Sequence, residues 1–208
     1  MMLDAKCKKC RALGDKLFLK GDKCFSPKCP LAKRPYPPGK SPKSRRGKES
    51  EYGRQLKEKQ KLKLSYGLRD RQLSNYFATA FKSHTSTPEV LAQLLELRFD
   101  NIVYRTGFAS SRGVARQLTT HGHFTLNGRR HDVPSAHLKI GDVIGINGRS
   151  AKSPIFEKIA DKLTENAKTN NWLEIDPKAL KVKVIGKPSL VDLNLPFDIN
   201  TVVEYFSH

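Results

Sequence analysis

The residues best suited to chemistry are four cysteines, Cys7, Cys10, Cys24 and Cys29, spaced C-x2-C, thirteen residues, then C-x4-C. Two such knuckles can close a tetrahedral thiolate site with no open position, the structural rather than catalytic arrangement of zinc. Two disulfides or four free thiols would use the same residues. The N-terminus, MMLDAKCKKC, carries no apolar run of a secretory signal, so a reducing compartment is expected and disulfides are disfavoured. The expected cofactor is therefore one structural Zn2+ on Cys7, Cys10, Cys24 and Cys29. This segment has little apolar content, so metal binding would supply most of its folding free energy.

A second group of residues suits anion binding. Arg112 and Arg116 are four apart and share one helix face, opposite Val114 and Leu118. Arg129 and Arg130 follow on a turn close to His121 and His123. Guanidinium forks match phosphate oxygens two bonds at a time. The plain alternative is a solvated charged face. His121, His123, His131 and His137 lack closely spaced carboxylate or cysteine partners, so they point to solvent or ligand contact rather than to a second metal. No phosphate-cradling or dinucleotide-binding glycine pattern occurs, and Glu174 and Asp176 read as ordinary surface acids. No enzyme is expected.

The charge balance supports the anion reading. Net charge is +19 and the pI about 9.9. Residues 1–50 hold 15 Lys/Arg against 4 Asp/Glu, residues 51–100 hold 9 against 6, residues 101–150 hold 7 against 2, and the remainder balances at 8 against 8. A polyanion is therefore expected on the N-terminal half and the middle of the chain. No run approaches 18 apolar residues, and the Lys40–Lys48 charge run has no apolar face beside it, so no membrane partner is expected. The residues expected to make contacts are Lys8, Lys9 and Arg11 beside the cysteines, Arg45 and Arg46 in a basic arm, and Arg54, Lys57, Lys61 and Arg69 on or after a basic helix. Arg105, Arg112, Arg116, His121, His123, Asn127 and Arg129 complete the set from the central stretch.

These residues need elements to hold them. Leu17, Phe18 and Leu19 suggest a short strand or helix packed over the metal. Residues 30–50 contain five prolines and no apolar periodicity, hence an extended arm with Tyr36 available to stack. Ser50 can cap a helix that Gly67 stops. A second helix carries Leu73, Tyr76, Phe77, Ala80 and Phe81 as a core stripe, and a third opens at Thr87-Pro88. Between Leu97 and Ile146, Asp100 and Asn101 can open a helix ended by Gly107, and Ser110 or Ser111 can cap a second, closed by Gly122. Alternation around Asn127-Gly128 then predicts a type I′ hairpin, and Val143, Ile144 and Ile146 a further strand. Ser153-Pro154 predicts a helix whose Phe156, Ile159, Ala160 and Leu163 line one side. Trp172–Ile175, Val182–Ile185 and Thr201–Phe206 read as short strands.

The stretch LRFDNIVYRTGFASSRGVARQLTTHGHFTLNGRR, followed by Leu138-Lys139-Ile140-Gly141-Asp142, resembles the small RNA-binding module named after ribosomal protein S-four. With SEYGRQLKEKQKLKLSYGLRDRQLSNYF, WLEID and LNLPFDINTVVEYFS, the resemblance extends to the bacterial S-four family over nearly the whole chain. KLFLKGDKCFSPKC and RPYPPG look like its zinc-carrying four-cysteine branch. The arm after Gly39 departs from it, reading KSPKSRRGK where the family commonly has a His-Gly pair.

The expected fold is α+β. A zinc knuckle and basic arm would occupy residues 1–49. Residues 50–96 and 150–208 would form a mainly helical domain completed by C-terminal strands, into which the RNA-binding module of residues 97–149 is inserted. The resemblance implies a cytoplasmic structural constituent of the small ribosomal subunit, a monomer within the particle. It would bind small-subunit rRNA early in assembly, contact neighbouring small-subunit proteins, lie near mRNA where it enters the subunit, and influence translational accuracy. A free RNA-binding regulator using the same module and a zinc-dependent DNA-binding protein are the alternatives. The cysteine segment lacks an evident recognition helix for the latter.

Overall fold

A computed structural model describes residues 5–43, 47–151, 153–156, 159, 163–164 and 170–207. The chain forms two compact units, residues 1–88 with 194–208, and residues 89–193. Mixed helix and antiparallel sheet make it an α+β protein.

In the first unit, three short helices place the cysteines: α1 (Lys6–Leu13) holds Cys7 and Cys10, α2 (Asp22–Phe25) holds Cys24, and Cys29 is the N-cap of α3 (Pro30–Lys33). Gly14, in the left-handed region at φ 82°, ends α1 and donates its N–H to the Cys10 carbonyl. Leu17–Leu19 is neither strand nor helix but a loop, with Leu17 buried and Phe18 at φ 51°. The basic arm is not extended from its start. Pro30 fits the first turn of α3, where a missing N–H costs nothing. Beyond it the guanidinium of Arg11 donates through Nε to the carbonyls of Arg34 (3.1 Å) and Tyr36 (3.0 Å) and stacks over the Tyr36 ring. Tyr36 is thus already covered by Arg11.

The basic helix α4 (Glu51–Ser65) is capped by Ser50, whose Oγ accepts from the Gly53 N–H. Its buried residues are Gln55, Leu62 and Ser65. Helix α5 (Asp70–Phe81) buries Leu73 and Ala80 as the spacing predicts, but Tyr76 and Phe77 are only half-buried and Phe81, at the helix end, is exposed. Two further helices, α6 (Thr87–Glu96) and α7 (Phe99–Arg105), lead through the second unit to α8 (Arg112–Thr120).

The first unit closes with α9 (Ile199–Ser207), where a strand was expected over Thr201–Phe206. The adjacent β-branched residues Thr201, Val202 and Val203 favour a strand locally. Tertiary packing overrides them: Ile199 and Val202 are buried, Phe206 stacks on Phe77 at 4.8 Å, and the Asp198 carboxylate accepts from the Asn200 N–H and the Thr201 hydroxyl.

The second unit is built on a five-stranded antiparallel sheet in the order β2-β1-β3-β5-β4, with β1 Phe124–Leu126, β2 Arg129–His131, β3 Val143–Ile146, β4 Leu173–Asp176 and β5 Lys181–Val184. The expected hairpin is present. Asn127 and Gly128 have φ 50° and 81°, as a type I′ turn requires. The last two strands do not complete the helical domain. Instead β5 pairs with β3, Ile144 opposite Val182, and extends the module's own sheet. The alternation in Lys-Val-Lys-Val explains why: Val182 and Val184 are fully buried, and the lysines face outward. Phe99, Ile102, Phe108, Ala115, Phe124 and Ile144 form the core with Phe156, Ile159, Leu163, Trp172, Val182 and Val184. Ile159 and Leu163 are helical and buried as predicted; Phe156 is buried but in a turn, so the helix does not start at Ser153-Pro154, and Ala160 lies outside the described residues.

Candidate nucleic-acid interface

The arginines of the module are held from beneath by acids. Helix α7 begins at Phe99, one residue before the expected opener, with Arg98 at its N-cap. Asp100 and Asn101 therefore sit inside its first turn, and both are buried. Asp100 receives the Arg98 fork at 3.0 and 2.8 Å. The same Oδ2 accepts from Arg116 Nε at 3.1 Å, with Arg116 Nη2 3.0 Å away. Glu96, fully buried at the end of α6, receives a second fork: Arg105 Nε donates to Oε2 at 2.9 Å and Nη2 to Oε1 at 2.8 Å. Asn101 Nδ2 donates to Glu96 Oε2 at 2.6 Å, and its Oδ1 accepts from Arg112 Nε at 2.7 Å. The Arg112 guanidinium also lies 4.6 Å over the Tyr104 ring and 3.8 Å from Glu96 Oε1.

Local sequence explains this placement. Ser111 caps α8, its Oγ accepting from the Val114 N–H, which sets the phase of the helix. Ala115, Leu118 and Thr119 turn inward, and Arg112 and Arg116 emerge one turn apart on the flank facing α7. Four arginines meet two carboxylates, so the cluster keeps a net charge of +2. Arg112 and Arg105 side chains stay 17% and 19% exposed and Arg116 36%. These arginines are part of a partly buried network, not the free solvated face of the plain alternative. Glu96, Arg98, Asp100 and Asn101 are partners that the sequence did not reveal. A glutamate following Leu94 and Leu95 at a core-facing position was the available signal.

At the hairpin, Asn127 is occupied as an acceptor and donor, bonding the Val143 N–H (2.9 Å) and Asp142 Oδ1 (2.8 Å). Arg129 is exposed on β2, and Arg130 folds across Gly122. His121 is exposed at the end of α8, with its ring centroid 6.1 Å from that of His123. His123 is half-buried, with Nδ1 2.9 Å from Ser150 Oγ. His131 is committed to the Val133 carbonyl and the Phe99 ring. His137 has a pKa below the usual imidazole value, because it is partly desolvated and Arg98 lies nearby.

In the first unit, Lys8 is exposed on α1 and Lys9 half-buried. Arg11 is engaged by the arm, and Arg45 and Arg46 fall outside the described residues. On α4, Arg54 pairs with Glu51 and Lys57 with Glu49, both at the exposed surface. Lys61 is different, only 13% exposed between Asp15 (2.5 Å) and Glu58 (2.6 Å). Burial opposes its charge, but the two carboxylates outweigh that and raise its pKa. Lys61 therefore ties α4 to the loop after α1. Arg69 is exposed at the start of α5.

None of the four cysteines is in a disulfide; three are buried and Cys7 is half-buried. Burial pushes the Cys10 thiol up, and the neighbouring Cys24, Cys7 and Cys29 add to this, while the Leu17 backbone N–H works in the opposite direction. Cys7, Cys24 and Cys29 therefore all lie in the neighbourhood of Cys10. Among the described residues, no three His, Cys, Asp or Glu side chains converge closely enough to hold a metal ion.

Comparison with known proteins accounts for both units. Residues 2–96 match the family described as "Ribosomal protein S4/S9 N-terminal domain", and residues 97–144 match the "S4 domain". The small ribosomal subunit protein uS4 of Ruminiclostridium cellulolyticum is 45% identical over 204 residues, covering 98% of this chain and 97% of that protein. The uS4A protein of Alkaliphilus oremlandii is 47% identical over 206 residues (98% and 97%), and the uS4 protein of Caldicellulosiruptor bescii 47% over 201 residues (97% and 96%). Similarity at this level from end to end means that the chain belongs to the ribosomal protein uS4 family.

Proposed function

We propose that this protein is a structural, rRNA-binding constituent of the small ribosomal subunit, working in cytoplasmic ribosomes and carrying out no catalysis. The observation that carries the reading is the near-full-length identity to small-subunit proteins, which spans both the cysteine-bearing unit and the arginine network. Folded RNA junctions are recognised mainly by shape and backbone, and a dispersed basic surface of net charge +19 suits that mode. Lys8, Lys9, Arg54, Lys57, Arg69 and Arg129 offer exposed or half-buried charge to phosphates. Arg105, Arg112 and Arg116 offer a fixed array, and His121, His123 and Asn127 are further contact candidates at the end of α8 and on the hairpin. From the family resemblance, binding would come early in assembly. Contacts with neighbouring small-subunit proteins and with incoming mRNA, and an influence on accuracy, would follow from its place in the particle.

Sedimentation tests this directly. The protein should migrate with small subunits in a gradient and protect a defined set of small-subunit rRNA nucleotides from chemical modification. A protein that stays at the top of the gradient, or that duplex DNA displaces as well as rRNA does, overturns the reading.

The second element of the proposal is one structural Zn2+ on Cys7, Cys10, Cys24 and Cys29. It is supported by the donor chemistry: four cysteines free of disulfides in one basic segment, with lysines around them to offset the negative charge of a tetrathiolate site. Binding would draw the four sulfurs together and rigidify α1–α3. Elemental analysis of freshly purified protein decides it: about one zinc per chain is expected for a closed four-thiolate site, and none overturns it.

A further inference from the structure

A polyanion binder gains nothing electrostatically from negative charge beneath its basic face, since each acid lowers the potential that attracts phosphate. An ionised carboxylate in an apolar interior is also costly unless fully paired. Yet Glu96 is fully buried and Asp100 nearly so, directly under Arg105, Arg112 and Arg116. The pairing geometry suggests what they provide. Glu96 takes Arg105 in a two-pronged fork and reaches Arg112 through Asn101, whose amide donates to the acid and whose carbonyl accepts from Arg112 Nε. Asp100 fixes Arg98 in a fork and holds Arg116 through Nε and Nη2. Three guanidinium planes that would otherwise each sample many rotamers are thereby set before any ligand arrives, while their side chains remain partly exposed.

We infer that Glu96 and Asp100, with Asn101 as a neutral bridge, are positioning residues for the phosphate-binding arginines of the module. The inference rests on the rRNA-binding reading above. It makes a prediction opposite in sign to that of charge alone. Glu96→Gln raises the net charge by one while keeping nearly the same shape. Simple electrostatics then requires tighter rRNA binding and a steeper salt dependence. Positioning requires weaker binding and a shallower one, because arginines released from their anchors no longer meet several phosphates together.

The test compares the full chain with its Glu96→Gln and Asn101→Ala variants in binding to a small-subunit rRNA transcript across a salt series. Circular dichroism and amide NMR spectra establish the folded fraction of each. Glu96→Gln is expected to bind roughly tenfold or more weakly per folded molecule. Its slope of log affinity against log salt should shrink by about 0.7–0.9 for each phosphate the arginines no longer neutralise. Asn101→Ala, which changes no charge, is expected to move affinity and slope in the same direction, and it decides the matter should Glu96→Gln fail to fold. Tighter binding by Glu96→Gln, or unchanged affinity of folded Asn101→Ala, overturns the inference and leaves the acids a purely structural role. Failure of the unsubstituted chain to bind the transcript is a different result, and overturns the rRNA reading itself.

Discussion

Arg130 lies across Gly122, its guanidinium filling the space into which a β-carbon at that position would project. The contact joins strand β2 to the turn leaving α8. Gly122 has φ 73°, and its N–H donates to the Thr119 carbonyl at 2.8 Å. A flexible arginine can move aside, so the backbone conformation dominates the cost of a side chain here. Gly122→Ala is expected to destabilise the protein by about 1 kcal/mol. The substitution should also displace the Arg130 side chain. Urea unfolding measures the first effect and the Arg130 side-chain NMR resonance the second.

A larger loss is expected at Asp100. Arg98 is 1% exposed and Arg116 also rests on the same carboxylate. Removing one partner of a buried pair leaves the other charge uncompensated, which typically costs about 3–5 kcal/mol. Asp100→Ala should therefore lower the urea midpoint far more than Asp132→Ala, which alters an exposed residue of the same type. Equal shifts would show that the Arg98–Asp100 pair contributes little.

How much of this could be read beforehand follows from the range of each interaction. Asn127-Gly128 and Ser111 announce themselves because turn and cap chemistry is local, acting over three or four residues. The family resemblance likewise needs only the order of residues. The acid–arginine network was hidden because Glu96 meets Arg105 and Arg112 across three elements, and no local pattern marks a glutamate as a buried anchor. Asp100 and Asn101 were legible as helix openers, a role Arg98 takes instead. Thr201–Phe206 misleads for the complementary reason: its β-branched residues favour a strand, and tertiary packing, including the aromatic stack of Phe206 on Phe77, makes the helix the better answer. The partner of β3 was invisible because β5 begins 35 residues after β3 ends, at Lys181 against Ile146.

The cysteine knot offers a prediction specific to its unit. Replacing Cys7 and Cys10 together by serine should abolish metal binding and loosen α1–α3, with amide exchange rising there. The second unit, residues 89–193, has its own core and should keep its protection. Uniform loss of protection across both units would show that the knot supports more than its own segment.

Asp70 provides a pH-dependent test of the start of α5. Its carboxyl is held below the usual carboxylate range, chiefly because Lys63 Nζ donates to Oδ2 at 2.8 Å, with the charge of Lys59 adding to this. The folded pKa is therefore lower than the unfolded one. Below about pH 5, where a free aspartate begins to protonate, the unfolded chain takes up the proton more readily than the folded one. The stabilisation is present in full above that pH and is lost as pH falls through the folded pKa. The Asp70 side chain is 60% exposed, so the contribution is small and should fade in high salt. Asp70→Asn should flatten the acid limb of the stability curve at low salt and leave the neutral region of its shape unchanged. An NMR titration placing the Asp70 carboxyl at or above the ordinary aspartate value would remove the basis for this expectation.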